Sequence, residues 1–195
     1  MPSHLLTTTL TDLISPASPT PSTPKISSPP IPLPQGHHLV YFPIQLPPSK
    51  LIPDGADPDH SPDPHPPSHS ISLTPSATHL FHFSALSFNA HSIHIDPIYA
   101  KEVDGHRALL VHGPLTLALM LRVLNDHIGP ALSVSKFSYR NYAPLYVDEK
   151  MTINLRKVSR EDAVEERWDV WIEGPEGGMA VKGNAHVAPI NTDTS

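Results

Sequence analysis

Residues 113–130 read GPLTLALMLRVLNDHIGP and predict one long helix. Gly113-Pro114 is typical of a helix start, since proline in the first turn lacks only a donor that would be unpaired anyway. Gly129-Pro130 predicts the end of the helix. Apolar residues occupy one face and most of the remaining surface: Leu115, Leu117, Leu119, Met120, Leu121, Val123, Leu124 and Ile128. A helix that is apolar nearly all round is buried, so a sheet is expected to wrap around it.

The residues downstream of this helix alternate between apolar and polar side chains, as in half-buried strands. This pattern predicts four antiparallel strands, over residues 136–142, 151–156, 168–172 and 179–187. Upstream, we expect one further strand from Leu80 to about Leu86, and a short helix that begins at Asp96-Pro97 and stops at Gly105. This order describes an α+β hot-dog fold, a curved antiparallel sheet wrapped around one central helix.

The prolines divide the chain into regions, because a proline-dense stretch cannot continue a helix or a paired strand. Of the 25 prolines, 18 lie in residues 1–70. We therefore expect the hot-dog domain in residues 71–190 and an extended Pro/His/Asp-rich segment in residues 35–70. Residues 1–34 are rich in Ser, Thr and Pro and are expected to be a disordered tail, whose removal would leave the melting temperature nearly unchanged. Residues 39–42 are long enough for a short edge strand.

Composition excludes several classes of function. The formal net charge is −6 and neither part of the chain is basic, which argues against a nucleic-acid partner. The absence of cysteine removes disulfides, thiolate zinc sites and cysteine nucleophiles. The longest apolar run is far shorter than the roughly 20 residues that cross a bilayer, so we expect a soluble protein without a membrane partner. A metal cluster can be drawn from His60, His65, His69, Asp57, Asp59 and Asp63, but a solvated linker is the preferred interpretation.

The stretch FSALSFNAHSIHIDP, residues 83–97, followed by LVHGP at 110–114, resembles the MaoC-like and (R)-specific enoyl-CoA hydratases of the hot-dog superfamily. It is more similar to the 3-hydroxyacyl-thioester dehydratase type 2 and mesaconyl-C4-CoA hydratase group. Four blocks carry this resemblance: FSALSFNAHSIHID, LLVHGPL, YRNYAPLY and WDVWIEGPEGG. Members of this group have two hot-dog halves, so residues 35–70 are expected to be a remnant of a first half that is mostly missing. The resemblance implies dehydration of a 3-hydroxyacyl thioester, or the reverse hydration.

Such a reaction needs a group that moves a proton between water and Cα, and donors that hold the developing enolate oxygen. His94 fits the first role, with an ordinary pKa near 6.5. Asn89 stands where the wider family has its catalytic aspartate; since it cannot accept a proton, we expect it to orient water or the substrate hydroxyl. The resemblance implies that the Gly113 N–H is the oxyanion donor. Asn89 and His94 are expected to face each other across a cleft at the start of the long helix.

Three further residues are candidates for lining the site, and each has a structural interpretation beside the functional one. His91 is a second titratable group or a structural residue, and His112 lines the site or packs. Arg140 meets a CoA phosphate or marks the end of a strand. No metal and no cofactor beyond the acyl thioester, carried by CoA or a carrier protein, are expected.

Two other functions remain open at this point. The chain is either a lyase or a hot-dog protein without turnover that binds thioesters or assists assembly. A thioesterase is disfavoured because residues 115–124 contain no carboxylate. A homodimer is expected, since the sheet of one hot-dog unit leaves an edge strand unpaired. The resemblance implies a mitochondrial location, although no arginine precedes Arg107 and no arginine-rich presequence is visible; the cytoplasm is the alternative.

Overall fold

The computed structural model describes residues 2–14, 63–158 and 165–190. In chain order the helices and strands are α1 (Pro2–Ile14), β1 (His69–Leu73), α2 (Ala77–Ser87), a 3₁₀ turn (Ser92–His94), α3 (Pro97–Glu102), α4 (Gly113–Ile128), β2 (Leu132–Asn141), β3 (Met151–Lys157), β4 (Glu166–Glu173) and β5 (Met179–Pro189). No helix among these residues is long and apolar enough to span a membrane.

The described strands form one antiparallel sheet in the order β1-β3-β4-β5-β2, and α4 packs against it. Both the long helix and the four downstream strands are therefore where the sequence predicts them. The side chains of α4 that are buried come from nearly all sides of the helix: Leu115, Thr116, Ala118, Leu119, Met120, Leu121, Val123 and Leu124. They pack with inward-facing residues of the strands, among them Ile153, Val170 and Val187, into a single core cluster.

The predicted strand from Leu80 to Leu86 is wrong, because this stretch belongs to helix α2. Ser76 caps that helix and forms a reciprocal capping box with His79. The buried residues of α2 are Leu80, Phe83, Ser84 and Ser87, which share one face at helical spacing, whereas Phe81 is 62% exposed. The clustered aromatic residues are typical of a strand, but the buried side chains recur every three or four residues, as in a helix. The strand that precedes the helices is instead β1, which pairs with β3.

The predicted disorder of residues 1–34 is wrong for residues 2–14, which form α1. This helix packs against α2 and β1. Its side chains Leu6, Leu10 and Leu13 are at most 5% exposed and belong to the core cluster. Spacings of three and four residues place these leucines on one face, a pattern that the high Ser/Thr content of the region obscured. Residues 15–34 and the short strand considered at 39–42 lie outside the described residues.

The last residues of the expected extended segment are bound to the sheet. Asp63 accepts hydrogen bonds from Arg156 at 2.8 Å and Lys182 at 3.2 Å. Burial acts to raise the pKa of the Asp63 carboxyl, but these bonds and one from the His65 N–H outweigh it and hold the pKa well below its ordinary value. Ser68 then bonds to the Leu155 carbonyl at the start of β1. The proline count predicts that the folded domain starts at residue 71. In the structure, residues from Asp63 onward already contact the sheet.

The contacts of α1 predict that this helix stabilises the fold. Leu10→Ala should lower the free energy of unfolding by about 2–3 kcal/mol, because it removes a fully buried side chain from the core. Thr11→Ala, at a partly exposed position of the same helix, is the control and should change it by less than about 0.5 kcal/mol. Urea unfolding followed by circular dichroism measures both. Equal midpoints for Leu10→Ala and the parent chain would show that α1 is not part of the stable core.

Candidate active site

His94 ends the 3₁₀ turn between α2 and α3, and its side chain is buried. Asp96 fixes the following helix by accepting hydrogen bonds from the N–H groups of Ile98 and Tyr99, as expected from its position before Pro97. The Nδ1 atom of His94 lies 2.8 Å from the carbonyl oxygen of Leu110. Because a carbonyl only accepts, Nδ1 carries the proton, and in neutral His94 the basic lone pair lies on Nε2.

His112 is the N-cap residue of α4 and is fully buried. Its imidazole stacks on that of His94, with 3.7 Å between the ring centroids and 22° between the planes. Its Nε2 atom lies 2.8 Å from the hydroxyl of Ser84 in α2. The edge of its ring also meets the Phe83 ring. The start of the buried helix therefore sets the position of His112, and His112 in turn contacts the candidate base.

Burial lowers the pKa of both stacked histidines. Desolvation is the main reason that the pKa of His94 falls to about 4; the bond to Leu110 acts in the other direction, and the charge of His91 lowers it further. Desolvation likewise lowers the pKa of His112 to about 2, with smaller contributions from the charges of His94 and His91. Both rings are therefore neutral at pH 7. The sequence-based expectation of an ordinary pKa for His94 is wrong, and the reason is burial.

Asn89 follows directly on α2, in a tight turn. Phe88 adopts the left-handed conformation (φ 52°), and the carbonyl of Ser84 accepts hydrogen bonds from the N–H groups of both Phe88 and Asn89. The side-chain oxygen of Asn89 accepts a hydrogen bond from the N–H of His91 at 3.1 Å. The His91 ring meets that of His94 edge to face, with centroids 5.7 Å apart. Asn89 is thus linked to His94 through His91; that the two side chains face each other across a cleft stays a prediction.

Gly113 is the first residue of α4 and lies directly beside His112. A Cβ atom at this position would lie 3.2 Å from the side-chain nitrogen of Asn141, at the end of β2, so the close approach of the two segments favours glycine. The first N–H groups of a helix have no partner within it, and the helix dipole adds partial positive charge there. A role for the Gly113 N–H as an oxyanion donor stays a prediction. Asn141 was not among the residues predicted to line the site, and its side chain lies against Gly113.

Arg140 lies apart from the histidines. It pairs in register with Lys182 on β5, whose neighbours Val181 and Gly183 are buried on the side of the core. Because register partners share a face, Arg140 lies on the face of the sheet away from α4. There it lines an open groove of about 420 Å³ together with Ser138, Tyr139, Tyr142, Lys182 and Asn184. A role for Arg140 in binding the substrate stays a prediction.

The metal cluster considered in the sequence does not form among the described residues, which contain no group of three or more potential ligands. Asp63 instead pairs with Arg156 and Lys182, and the ring of His69 packs against that of His127. His60, Asp57 and Asp59 lie outside the described residues.

The buried histidines predict how stability depends on pH. Their pKa values are lower in the folded chain than the 6.5 of an unburied histidine, so below pH 6.5 the unfolded chain binds more protons. The free energy of unfolding should therefore fall by up to about 1.4 kcal/mol per pH unit for each histidine as the pH falls from 6.5 towards 4.

Urea unfolding at several pH values tests this expectation. His112→Phe retains an aromatic ring and should give a shallower slope, because it removes one of the two buried histidines. An unchanged slope in His112→Phe would mean that His112 is not held neutral by burial.

Residues 62–147 match the family model for hydroxyacyl-thioester dehydratase type 2. The chain is 35% identical over 119 residues to a mesaconyl-C(4)-CoA hydratase of Chloroflexus aurantiacus, covering 60% of this chain and 40% of the relative. It is 30% identical over 109 residues to a mitochondrial hydroxyacyl-thioester dehydratase type 2 of Schizosaccharomyces pombe, covering 55% of this chain and 33% of that protein. The chain thus spans less than half the length of either relative.

Solved structures agree in fold. An (R)-hydratase from A. caviae involved in PHA biosynthesis superimposes with a TM-score of 0.57 at 25% identity, covering 63% of this chain and 93% of that one. The unliganded R-hydratase PhaJ1 of Pseudomonas aeruginosa gives a TM-score of 0.58 at 18% identity, covering 64% and 81%. The predicted hot-dog fold is confirmed. Together, the family model, the two curated relatives and the shared fold show that this chain contains a hot-dog domain similar to those of the hydroxyacyl-thioester dehydratase type 2 family.

Proposed function

We propose that this chain is a hydro-lyase that interconverts a 3-hydroxyacyl thioester and the corresponding 2-enoyl thioester. One observation carries the proposal: a buried, neutral histidine with its lone pair on Nε2 lies beside the N-terminus of the central helix. A proton acceptor and a source of partial positive charge are the two elements that this reaction requires. The relatives that match this domain bear the names of hydratases and dehydratases.

In the proposed hydration, His94 Nε2 accepts a proton from a water molecule as the water oxygen bonds to Cβ of the enoyl thioester. The double-bond electrons move toward the thioester carbonyl, and an enolate forms. The resulting imidazolium returns the proton to Cα, so that one water molecule is added and His94 is regenerated. The low pKa of His94 makes the imidazolium a strong acid, which favours this return. Dehydration follows the same steps in reverse.

The other site residues have supporting roles in this proposal. The Gly113 N–H, at the positive end of α4, stabilises the enolate oxygen. Asn89 orients the water or the substrate hydroxyl by hydrogen bonds, since an amide side chain does not act as a base. The reaction involves no net oxidation or reduction, so the proposal invokes no redox cofactor; the thioester carrier is CoA or a carrier protein.

We also infer that two copies of the chain pair through β2. This strand is 10 residues long, lies at the edge of the sheet and carries side chains that are half-buried or exposed. A long unpaired edge is normally covered, and a two-fold symmetric pairing of β2 with its copy forms one continuous sheet. The name of the S. pombe relative supports a mitochondrial location for this chain.

The alternative functions are less well supported. In α4 the only acidic residue is Asp126, in its last turn, where it pairs with Arg122. A thioesterase that uses a carboxylate at the start of this helix is therefore disfavoured. A binding module without turnover is suggested by the amide at Asn89, but it gives no reason for a proton acceptor held in a single tautomer.

The proposal predicts that His94→Gln lowers kcat/KM for hydration by about 10²–10⁴-fold, since it removes the only base in the scheme. His186→Gln, on the outer face of β5, is the matched control and should retain parental activity. The hydration rate of both variants is measured from the loss of absorbance of the conjugated thioester, with a short-chain and a long-chain 2-enoyl-CoA as substrates. If folded His94→Gln hydrates these substrates as fast as the parent chain, the role of His94 is refuted.

Pairing through β2 predicts a particle of about twice the 21.3 kDa monomer mass in sedimentation equilibrium at micromolar concentration. Tyr139→Asp places a charge on this strand, at a side chain that is 40% exposed, and should shift the equilibrium towards monomer. Ile98→Asp, at an exposed position on α3, is the control and should leave the mass unchanged. A parent chain that is monomeric and hydrates enoyl-CoA would refute the dimer.

A further inference from the structure

Ser84, in helix α2, contacts both parts of the candidate site. Its backbone carbonyl accepts the N–H of Asn89 at 3.0 Å. Its hydroxyl lies 2.8 Å from Nε2 of His112, and the His112 ring stacks on that of His94. Ser84 and His112 are both buried, with 6% and 0% of their surface exposed. We call this connection the Ser84–His112 bridge.

We propose that Ser84 and His112 are positioning residues that hold His94 and Asn89 in one arrangement for the reaction. The proposal rests on the proposed function, in which His94 is the base. Neither residue has to touch the substrate; both act through His94 and Asn89.

The need for such a bridge follows from how His94 is held. Its one hydrogen bond, from Nδ1 to the Leu110 carbonyl, fixes the direction of a single ring atom and leaves rotation about that direction possible. Stacking on His112 fixes the plane of the ring. The His112 ring is fixed in turn by Ser84 on one side and by Phe83, 5.0 Å away between centroids, on another. The direction of Nε2 in His94 thus depends on the Ser84 hydroxyl, which contacts His112, which in turn contacts His94.

The protonation state of His112 is part of this arrangement. Its Nδ1 atom is buried and has no hydrogen-bond partner among the described residues. Because an unpaired buried N–H is rarer than an unpaired buried acceptor, the neutral ring carries its proton on Nε2 and donates it to Ser84. A second proton on Nδ1 would be unpaired, so His112 stays neutral. It therefore does not repel the positive charge that His94 acquires during the reaction.

The groups around His94 are aromatic rings and uncharged polar atoms, so the packing of these rings controls its pKa. Among the described residues, the titratable groups facing it are His91, before the 3₁₀ turn, and His112, at the start of α4. Helix α2 presents the uncharged Ser84 and Phe83 to His112, and the loop before α4 presents the Leu110 carbonyl to His94. Loosening the His112 ring would admit water beside His94 and weaken the desolvation that lowers its pKa.

The test compares Ser84→Ala with Ser87→Ala. Ser87 lies three residues further along the same helix, is 8% exposed, and donates its hydroxyl to the Phe83 carbonyl. Ser87→Ala therefore removes a buried serine hydroxyl that does not bond to His112. We expect Ser84→Ala to lower kcat by about 10–100-fold with little change in KM, since positioning affects the chemical step. Ser87→Ala should stay within about two-fold of the parent chain.

A second readout does not depend on turnover. Nuclear magnetic resonance of chain labelled with ¹⁵N-histidine reports the tautomer and the pKa of each ring. In Ser84→Ala the pKa of His94 should rise by about one unit towards its ordinary value, and in Ser87→Ala it should not change. His112→Phe keeps a ring against His94 but cannot bond to Ser84. Combining it with Ser84→Ala should lower kcat no further than the larger of the two single effects, because both break the same connection.

The outcomes separate the bridge from the proposed function. If Ser84→Ala matches Ser87→Ala both in kcat and in the titration of His94, the bridge is refuted while the lyase function stands. If the parent chain shows no turnover but Ser84→Ala alone alters the His94 titration, the bridge is supported and the proposed function fails. Additive losses in Ser84→Ala and His112→Phe would also overturn the bridge, since they would show that the residues act independently.

Discussion

Burial of α4 inside the sheet is the constraint on which the candidate site depends. The helix is enclosed on most of its surface, so its first turn has one position relative to the strands. That turn carries Gly113, with Asn141 of β2 against it, and is preceded by His112. The stacking of His94 on His112 then brings the 3₁₀ turn to the same place. The burial of one apolar helix thereby positions polar groups that are distant in sequence.

The same burial determines the chemistry that His94 can perform. An exposed histidine titrates near neutral pH and serves equally as acid and base. In this structure, desolvation keeps His94 neutral, and the Leu110 carbonyl places its lone pair on Nε2. A neutral ring of this kind can accept a proton, and it becomes an acid only after it has done so. This order suits a reaction in which a single residue both removes and returns the proton, and in which Asn89 supplies no second base.

The sequence predicted those parts of the fold that local patterns determine. The nearly all-apolar surface of α4, the Asp96-Pro97 cap and the alternating strands after residue 132 depend on neighbouring residues, and the structure has them as expected. The stretch from Leu80 to Leu86 was mistaken for a strand because its aromatics are clustered, whereas the side chains that are buried follow a helical period. Helix α1 was missed because three leucines among threonines are a weak signal until α2 is present to cover them.

The candidate site was predicted in part for a similar reason. His94, Asn89 and Gly113 stand in a recognisable motif, and the structure stacks His94 on His112, the residue before Gly113. Ser84 carries no such signal, since a serine within a helix is ordinary and its importance comes only from a contact 28 residues away in sequence. The low pKa of His94 could not be predicted from the sequence either, because desolvation depends on the packing of α2, α3 and α4 together.

Hydration in D₂O tests the central claim most directly. The full chain would be incubated with a 2-enoyl-CoA, and the product examined by nuclear magnetic resonance and mass spectrometry. We expect a 3-hydroxyacyl-CoA that carries one deuterium on Cα and retains its thioester bond, since His94 transfers a solvent-derived proton to the enolate. Release of free thiol, or recovery of unchanged enoyl-CoA from folded protein, would contradict it.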